Sequence, residues 1–189
     1  MALELNGTTG VSLVQDGVVT AADLASGAIT SAALPAGSVL QVQSTIKTDK
    51  WTQADSVAQT YYSPTGLSVS ITPTSTSSKI LIMASVTYCT SNVTYGSLCG
   101  LRVARSGNAI GEGGGNFASG TVTGSIADNS STYATVPIMF LDSPSSTSSL
   151  TYQVQIAQRI GGTPNIVVNG DMGGSSVGSS TITVMEIAG

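Results

Sequence analysis

Along most of the chain, apolar and polar residues alternate in short runs. Leu67, Val69 and Ile71 interleave with Ser68, Ser70 and Thr72, and Tyr152, Val154 and Ile156 interleave with Gln153, Gln155 and Ala157. Period two marks a strand with one face in a core and the other wet. Runs of this texture cover 39–48, 60–62, 67–72, 79–90, 97–105, 132–141, 150–159, 165–168 and 181–187. Breakers separate them. Thr72-Pro73-Thr74 and Asp142-Ser143-Pro144 are turn chemistry, and Gly111 to Gly115 cannot be a strand interior. No stretch after residue 40 keeps a helical period over ten residues. Eight or nine short strands at this spacing predict an all-β fold, an antiparallel jelly roll or β-sandwich, over residues 38–189.

The first 40 residues have a different pattern, a repeat of ten. Gly7, Gly17, Gly27 and Gly37 are evenly spaced; Val19, Ile29 and Val39 follow the last three by two positions, and Leu24 and Leu34 share a later one. Thr20 and Asp23 fit a capping pair at the start of a helical turn, and Gly27 fits its end. Each unit offers two or three apolar side chains. That is too few to offset about 1–2 kcal/mol of backbone entropy per ordered residue. The repeats therefore need a cover for their apolar side. Identical segments wrapping on one axis, or a host surface, supply it; the alternative is a flexible leader that happens to repeat. Val19, Leu24, Ile29 and Leu34 are the residues expected to pack there. The predicted organisation is an attachment segment, 1–37, before the jelly roll.

Composition narrows the function. The chain has 189 residues, of which 8% are charged, against roughly 25% in an average globular protein. Six basic residues and a net charge of −4 cannot build a phosphate-tracking surface, so no nucleic-acid partner is expected. Histidine is absent, which removes Ser-His-Asp and Cys-His catalysis and any imidazole metal ligand. No uncharged apolar run approaches the roughly 18 residues of a membrane helix, so membrane insertion is not expected. The start, Met1 to Asn6, lacks the basic-then-apolar pattern of a secretory signal, which points to assembly in a reducing cytosol. Cys89 and Cys99 fit facing positions of one hairpin, or two small buried hydrophobes.

Candidate chemistry is sparse. Trp51 sits among lysines with Tyr61 and Tyr62 close behind. Such aromatics either stack on a sugar or protein contact or cover one end of the sandwich. The Gly111 to Asn116 run lacks the Lys-Ser/Thr ending of a phosphate loop and reads as an exposed tip loop. Asn116 joins Trp51, Tyr61 and Tyr62 as a candidate surface contact. Among Asp49, Asp55, Asp128, Asp142 and Asp171, no spacing selects a pair for glycoside cleavage, and Asp142 reads as a turn residue. Asn169-Gly170-Asp171 and Asp128-Asn129 could donate oxygens to calcium, but lack a loop of spaced acidic ligands. No catalytic, cofactor or metal residues are assigned, and the chain does not read as an enzyme. If Glu186, in an apolar run, or Arg102 lies near a three-fold axis, it would need a partner, for which an Arg–carboxylate pair across subunits is the natural expectation.

Four blocks carry a resemblance. They are residues 67–82 (Leu-Ser-Val-Ser-Ile-Thr-Pro to Lys-Ile-Leu-Ile), 100–112 (Gly-Leu-Arg-Val-Ala-Arg-Ser-Gly-Asn-Ala-Ile-Gly-Glu), 140–144 with 150–154, and 181–189. Together they resemble the C-terminal domains of virion surface proteins of tailed bacteriophages, marine and cyanobacterial phages especially. The decapeptides are similar to the shaft or attachment repeats of phage fibres. The resemblance implies a jelly-roll knob, similar in outline to the C1q and tumour-necrosis-factor folds and assembled as a homotrimer. It also implies a virion protein, put together in the bacterial host cytoplasm and anchored by its N-terminus to other capsid or tail proteins, with a host-surface glycan as the candidate external contact. These blocks recur in tail-fibre, head-fibre and decoration proteins alike. About four repeats make only a short shaft, which favours a compact short-fibre knob or capsid decoration. The rival readings are a free carbohydrate-binding module or adhesin, and a glycan-cleaving enzyme.

Overall fold

The structure is a computed structural model that describes residues 5–6, 10–11, 33–54, 56–90, 97–112, 122–126, 132–158, 165–170 and 178–189. The chain divides into two compact units, Met1–Pro35 and Ala36–Gly189. In the first, β1 (Leu5–Asn6) pairs antiparallel with β2 (Gly10–Val11), Leu5 opposite Val11. Val19, Leu24, Ile29 and the capping turn at Thr20 lie outside the described residues. Leu34 is described and exposed.

The second unit contains β3 (Val39–Lys47), β4 (Trp51–Gln53), β5 (Ser68–Ile71), β6 (Lys79–Thr90), β7 (Ser97–Arg105), β8 (Asn108–Ile110), β9 (Val122–Ile126), β10 (Thr132–Asp142), β11 (Leu150–Gln158), β12 (Ile166–Val168) and β13 (Ser180–Ile187). All pairings are antiparallel. Sheet 1 runs β3-β13-β6-β10, with β12 and β4 continuing past β13 and β3 along the last residues of β6. Sheet 2 runs β5-β11-β7, and both β8 and β9 pair with β7. The chain passes from sheet to sheet between β5, β6 and β7 and again between β9, β10 and β11. Two facing sheets with these crossings are a jelly roll. No α-helix occurs among the described residues.

Alternation fills the space between the sheets. Ile80, Ile82, Ala84, Val86, Ile138, Ile182 and Val184 point inward from sheet 1 and meet Val69, Ile71, Leu101, Val103, Tyr152, Val154 and Ile156 from sheet 2. Burying one such side chain stabilises by about 1.5–3 kcal/mol. Turn chemistry fixes the register at β7–β8. Ser106 and Gly107 have φ of 47° and 88°, the two positive values that a two-residue hairpin turn matched to strand twist requires. Gly111 matters for another reason: a Cβ there would lie 3.1 Å from the Phe140 ring.

Polar side chains close both ends. At the near end, where the chain enters through Gly37, one inward row of sheet 1 reads Gln41, Glu186, Ile80 and Asp142. Glu186 is fully buried. Its Oε2 accepts from Gln41 Nε2 at 2.6 Å, and its Oε1 accepts from Thr74 N, Thr74 Oγ1 and Ser78 Oγ at 2.6, 2.8 and 2.7 Å. Asp142 accepts both oxygens' bonds from Arg105 Nη1 (2.9 and 2.7 Å), and Tyr152 OH donates to it at 2.7 Å. At the far end Asn169, with φ of 58°, donates Nδ2 to Lys47 O at 2.7 Å and accepts from Ser180 Oγ at 2.6 Å. Among the described residues, two buried groups there, Tyr88 OH and Gln158 Nε2, find no partner.

Several expectations change. Strands 79–90 and 97–105 form with the anticipated bounds. The 60–62 run reduces to a bridge between Tyr62 and Ile156. Trp51–Gln53, Asn108–Ile110 and Val122–Ile126 are strands that the pattern did not announce. Asp142 is not a turn residue: it ends β10 and ties sheet 1 to Arg105 and Tyr152 of sheet 2. Cys89 and Cys99 do not face each other in one hairpin, because β6 and β7 belong to different sheets. Glu186 and Arg102 each find partners within the chain.

Burial acts to raise the Glu186 pKa, but hydrogen bonds from Gln41, Ser78 and Thr74 outweigh it and hold the carboxyl below its ordinary 4.5. The stabilisation is therefore present above pH 4.5 and lost as pH falls through the lower, folded-state value. Glu186→Gln should lose about 1–3 kcal/mol at pH 7 in urea melts and show a shallower acid limb than the parent. Tyr88→Phe removes an orphaned hydroxyl, so it should be neutral or stabilising by about 1 kcal/mol. A loss of that size in the same melts would show that the hydroxyl has a partner.

Candidate functional site: an apolar outer sheet face

A two-layer sandwich covers only the inner faces of its sheets. The outer face of sheet 1 is built by the residues that alternate with the core. Strand register sets them in rows. Val42, Met185, Leu81 and Leu141 make one row across four strands. Ser44, Thr183, Met83 and Met139 make the next, and Ile46, Thr181, Ser85 and Pro137 the third. Val39, Ile187 and Lys79 close the near end.

This face is open to solvent. Exposure runs from 50% at Val42 through 53% at Leu141 and 62% at Ile46 to 70% at Met139. Lys79 is the one charge in these rows, at the margin, where its Nζ donates to Ser143 Oγ at 2.9 Å. The hydroxyls serve one another: Ser44 and Thr183 are 2.8 Å apart, and Thr87 and Thr135 2.9 Å. A contiguous apolar surface of this kind marks an interaction site.

The outer face of sheet 2 is the opposite in character. Ser70 bonds Thr151 across strands at 2.9 Å. Arg102 donates Nε to Gln155 Oε1 at 2.7 Å and Nη1 to Glu112 at 2.8 Å, while Gln155 Nε2 donates to Ser63 Oγ at 3.2 Å. The Arg102 guanidinium lies 3.8 Å from the centre of the Tyr61 ring. Burial raises the Tyr61 phenol, against the pull of the Arg102 cation above it.

The anticipated contact residues do not form one cluster. Trp51 belongs to sheet 1 through β4 and packs half-buried on the core. Tyr62 bridges to Ile156 of sheet 2, packs on the same core, and accepts a bond from Val57 N at 2.9 Å. Both fit the covering role. Tyr61 alone presents an aromatic beside polar groups on an outer face. Asn116 lies outside the described residues. Asn169, weighed as an oxygen donor to calcium, spends its amide on Lys47 and Ser180. Among the described residues no group of three His, Cys, Asp or Glu gathers at one point.

Sequence reasoning missed the apolar face. Its signal was present in β10, where Pro137, Met139 and Leu141 alternate with Ile138 and Phe140, so that both faces of the strand are apolar. A run apolar on both faces reads equally well as a strand covered on both sides.

No protein-family model and no curated protein matches the chain. Among solved structures, the chain is similar to a chain of the T13 IBDV viral particle, described as a missing link in the evolution of icosahedral viruses. The TM-score is 0.38 and the identity 11%, over 78% of this chain and 35% of that one. The present chain thus spans about a third of that protein. Likeness at this level carries no argument, and the jelly roll stands on its own strand pairing.

Proposed function

We propose that this protein is a structural component of a bacteriophage particle, a homotrimeric surface appendage such as a short-fibre knob or capsid decoration. The outer face of sheet 1 joins the copies, and this face is the observation that carries the reading. A second copy suits it better than a charged partner does. Apart from Lys79 at the margin, the rows offer no counter-charge, and a nearly uncharged surface meeting another copy incurs little like-charge repulsion. The chain enters the jelly roll at its near end, so an N-terminal anchor sets that end toward the particle and the far end outward. The polar face of sheet 2, with Tyr61 under Arg102, stays in solvent. It is the surface for a host glycan, which neutral amides, hydroxyls and an aromatic ring suit. The four sequence blocks that resemble phage virion proteins agree with this role.

The test has two parts. Sedimentation of the full chain at low micromolar concentration should give a trimer. Val42→Lys and Leu141→Lys should each abolish it while changing unfolding free energy by no more than about 0.5 kcal/mol, as exposed substitutions do. A parent that stays monomeric removes the reading. Deleting residues 1–37 should abolish incorporation into particles. A chain that loses those residues and keeps full glycan binding, with no particle association in the parent, would instead be a free carbohydrate-binding module.

A further inference from the structure

We infer that Met139, Met83 and Met185 form a peroxide-sensitive modification site on the outer face of sheet 1, whose oxidation separates the copies. The inference rests on the proposal that this face joins them. Three of the chain's five methionines lie here. Met139 is directly opposite Met83, and Met185 is in the adjoining row, opposite Leu81. Directly opposed side chains start about 4.5–5.5 Å apart and diagonal ones about 7–8 Å, so these long thioethers form one patch. Met139 is the most exposed large apolar side chain among the described residues, at 70%. The buried core cluster includes no methionine. The sulfurs are therefore reachable in a separate copy, and their oxidation leaves the interior alone.

The chemistry is a two-electron oxygen transfer. A lone pair of the thioether sulfur attacks one oxygen of a peroxide. The S–O bond forms as the O–O bond breaks, the sulfur is oxidised to the sulfoxide, and the peroxide is reduced to water, or to an alcohol from an alkyl peroxide. In a separate copy, water solvates the new S=O group. In the interface the side chains beside it are poor donors, apart from the Ser85 and Thr181 hydroxyls of the next row. Pro137 has no N–H, Leu81 and Leu141 are apolar, and the Thr183 hydroxyl beside Met83 is engaged with Ser44 at 2.8 Å. A buried acceptor with few donors within reach disfavours association. Methionine also explains how the face packs, since a flexible, polarisable side chain adapts to the surface it meets.

The test uses the full chain, hydrogen peroxide, peptide mass spectrometry and sedimentation equilibrium. Met139 should oxidise first in dilute samples and at least about tenfold more slowly in concentrated, associated ones. The oxidised chain should keep its far-ultraviolet circular dichroism while its self-association weakens about tenfold or more. Methionine sulfoxide reductases should restore it. The triple variant Met83→Leu, Met139→Leu, Met185→Leu conserves volume, so it should associate like the parent and be indifferent to peroxide. It retains Met1 and Met172, which isolates the effect to this patch. If the untreated parent associates and its oxidised form associates equally well, the inference alone falls. It falls also if peroxide dissociates the triple variant or unfolds the parent. If the untreated parent is monomeric at every concentration, the interface reading falls and takes this inference with it.

Discussion

Two stacked sheets have four faces, and their mutual packing buries only two of them. That constraint governs the rest of this structure. The inner faces take the Ile, Val and Leu positions of β6, β7, β11 and β13, and the jelly-roll crossings let the same strands alternate between layers. The remaining faces differ in chemistry. Sheet 2 presents Ser, Thr, Gln and a braced Arg–Tyr pair to water. Sheet 1 presents Val, Ile, Leu and Met across four strands. A surface of the second kind is costly to leave wet, at about 25 cal/mol per Å² of apolar area that a cover would remove from water.

The second constraint is the scarcity of charge. With ten acidic and six basic residues, the chain has fewer cations than carboxylates, so some carboxylates must be solvated by other means. Glu186 is held by three neutral side chains and a backbone amide, an arrangement that keeps it ionised without a counter-ion. Those donors come from β3 and from the 72–78 crossover. Solvation of one buried carboxylate thus fixes where the chain passes between the sheets. Asp142 does the same for the next crossing, with Arg105 as its cation. Two carboxylates in one cross-strand row thus draw partners from both layers to the near end.

The sequence showed what is local and hid what is distant. The bounds of β6 and β7 follow from alternation between clear breakers. β4 and β8 are three residues each, too short for a period to register, although Ser106-Gly107 was a readable hairpin turn. β9 contains Gly124 and little apolar content, so its pairing depends on β7 rather than on its own pattern. For Glu186 the apolar run revealed a buried carboxylate and suggested a cation. The actual donors Thr74 and Ser78 are 112 and 108 residues away, where no local pattern points. Asp142 looked like a turn residue because Pro144 follows it; the deciding contact, to Arg105, is 37 residues distant. The aromatics were grouped by nearness in sequence, and the fold parts them, because residues 54–60 carry the chain from β4 of sheet 1 toward the Tyr62 bridge on sheet 2.

Low charge and an apolar outer face belong together. Identical copies would bring identical charges to any contact between them, so scarce charge suits the proposed contact through this face. Hydroxyls paired across strands, as Ser44 with Thr183, keep such a face hydrated enough to stay soluble, yet give up little when water leaves. Strand edges need guarding too, and six basic residues cannot do it by charge. Pro137, in the middle of the edge strand β10, removes one amide that a stray strand would use. It sits in the same outward row as Ile46, so one residue both protects the edge and contributes to the face. Pairing of stray strands at that edge is thereby disfavoured, while the side chains of the face stay open to packing.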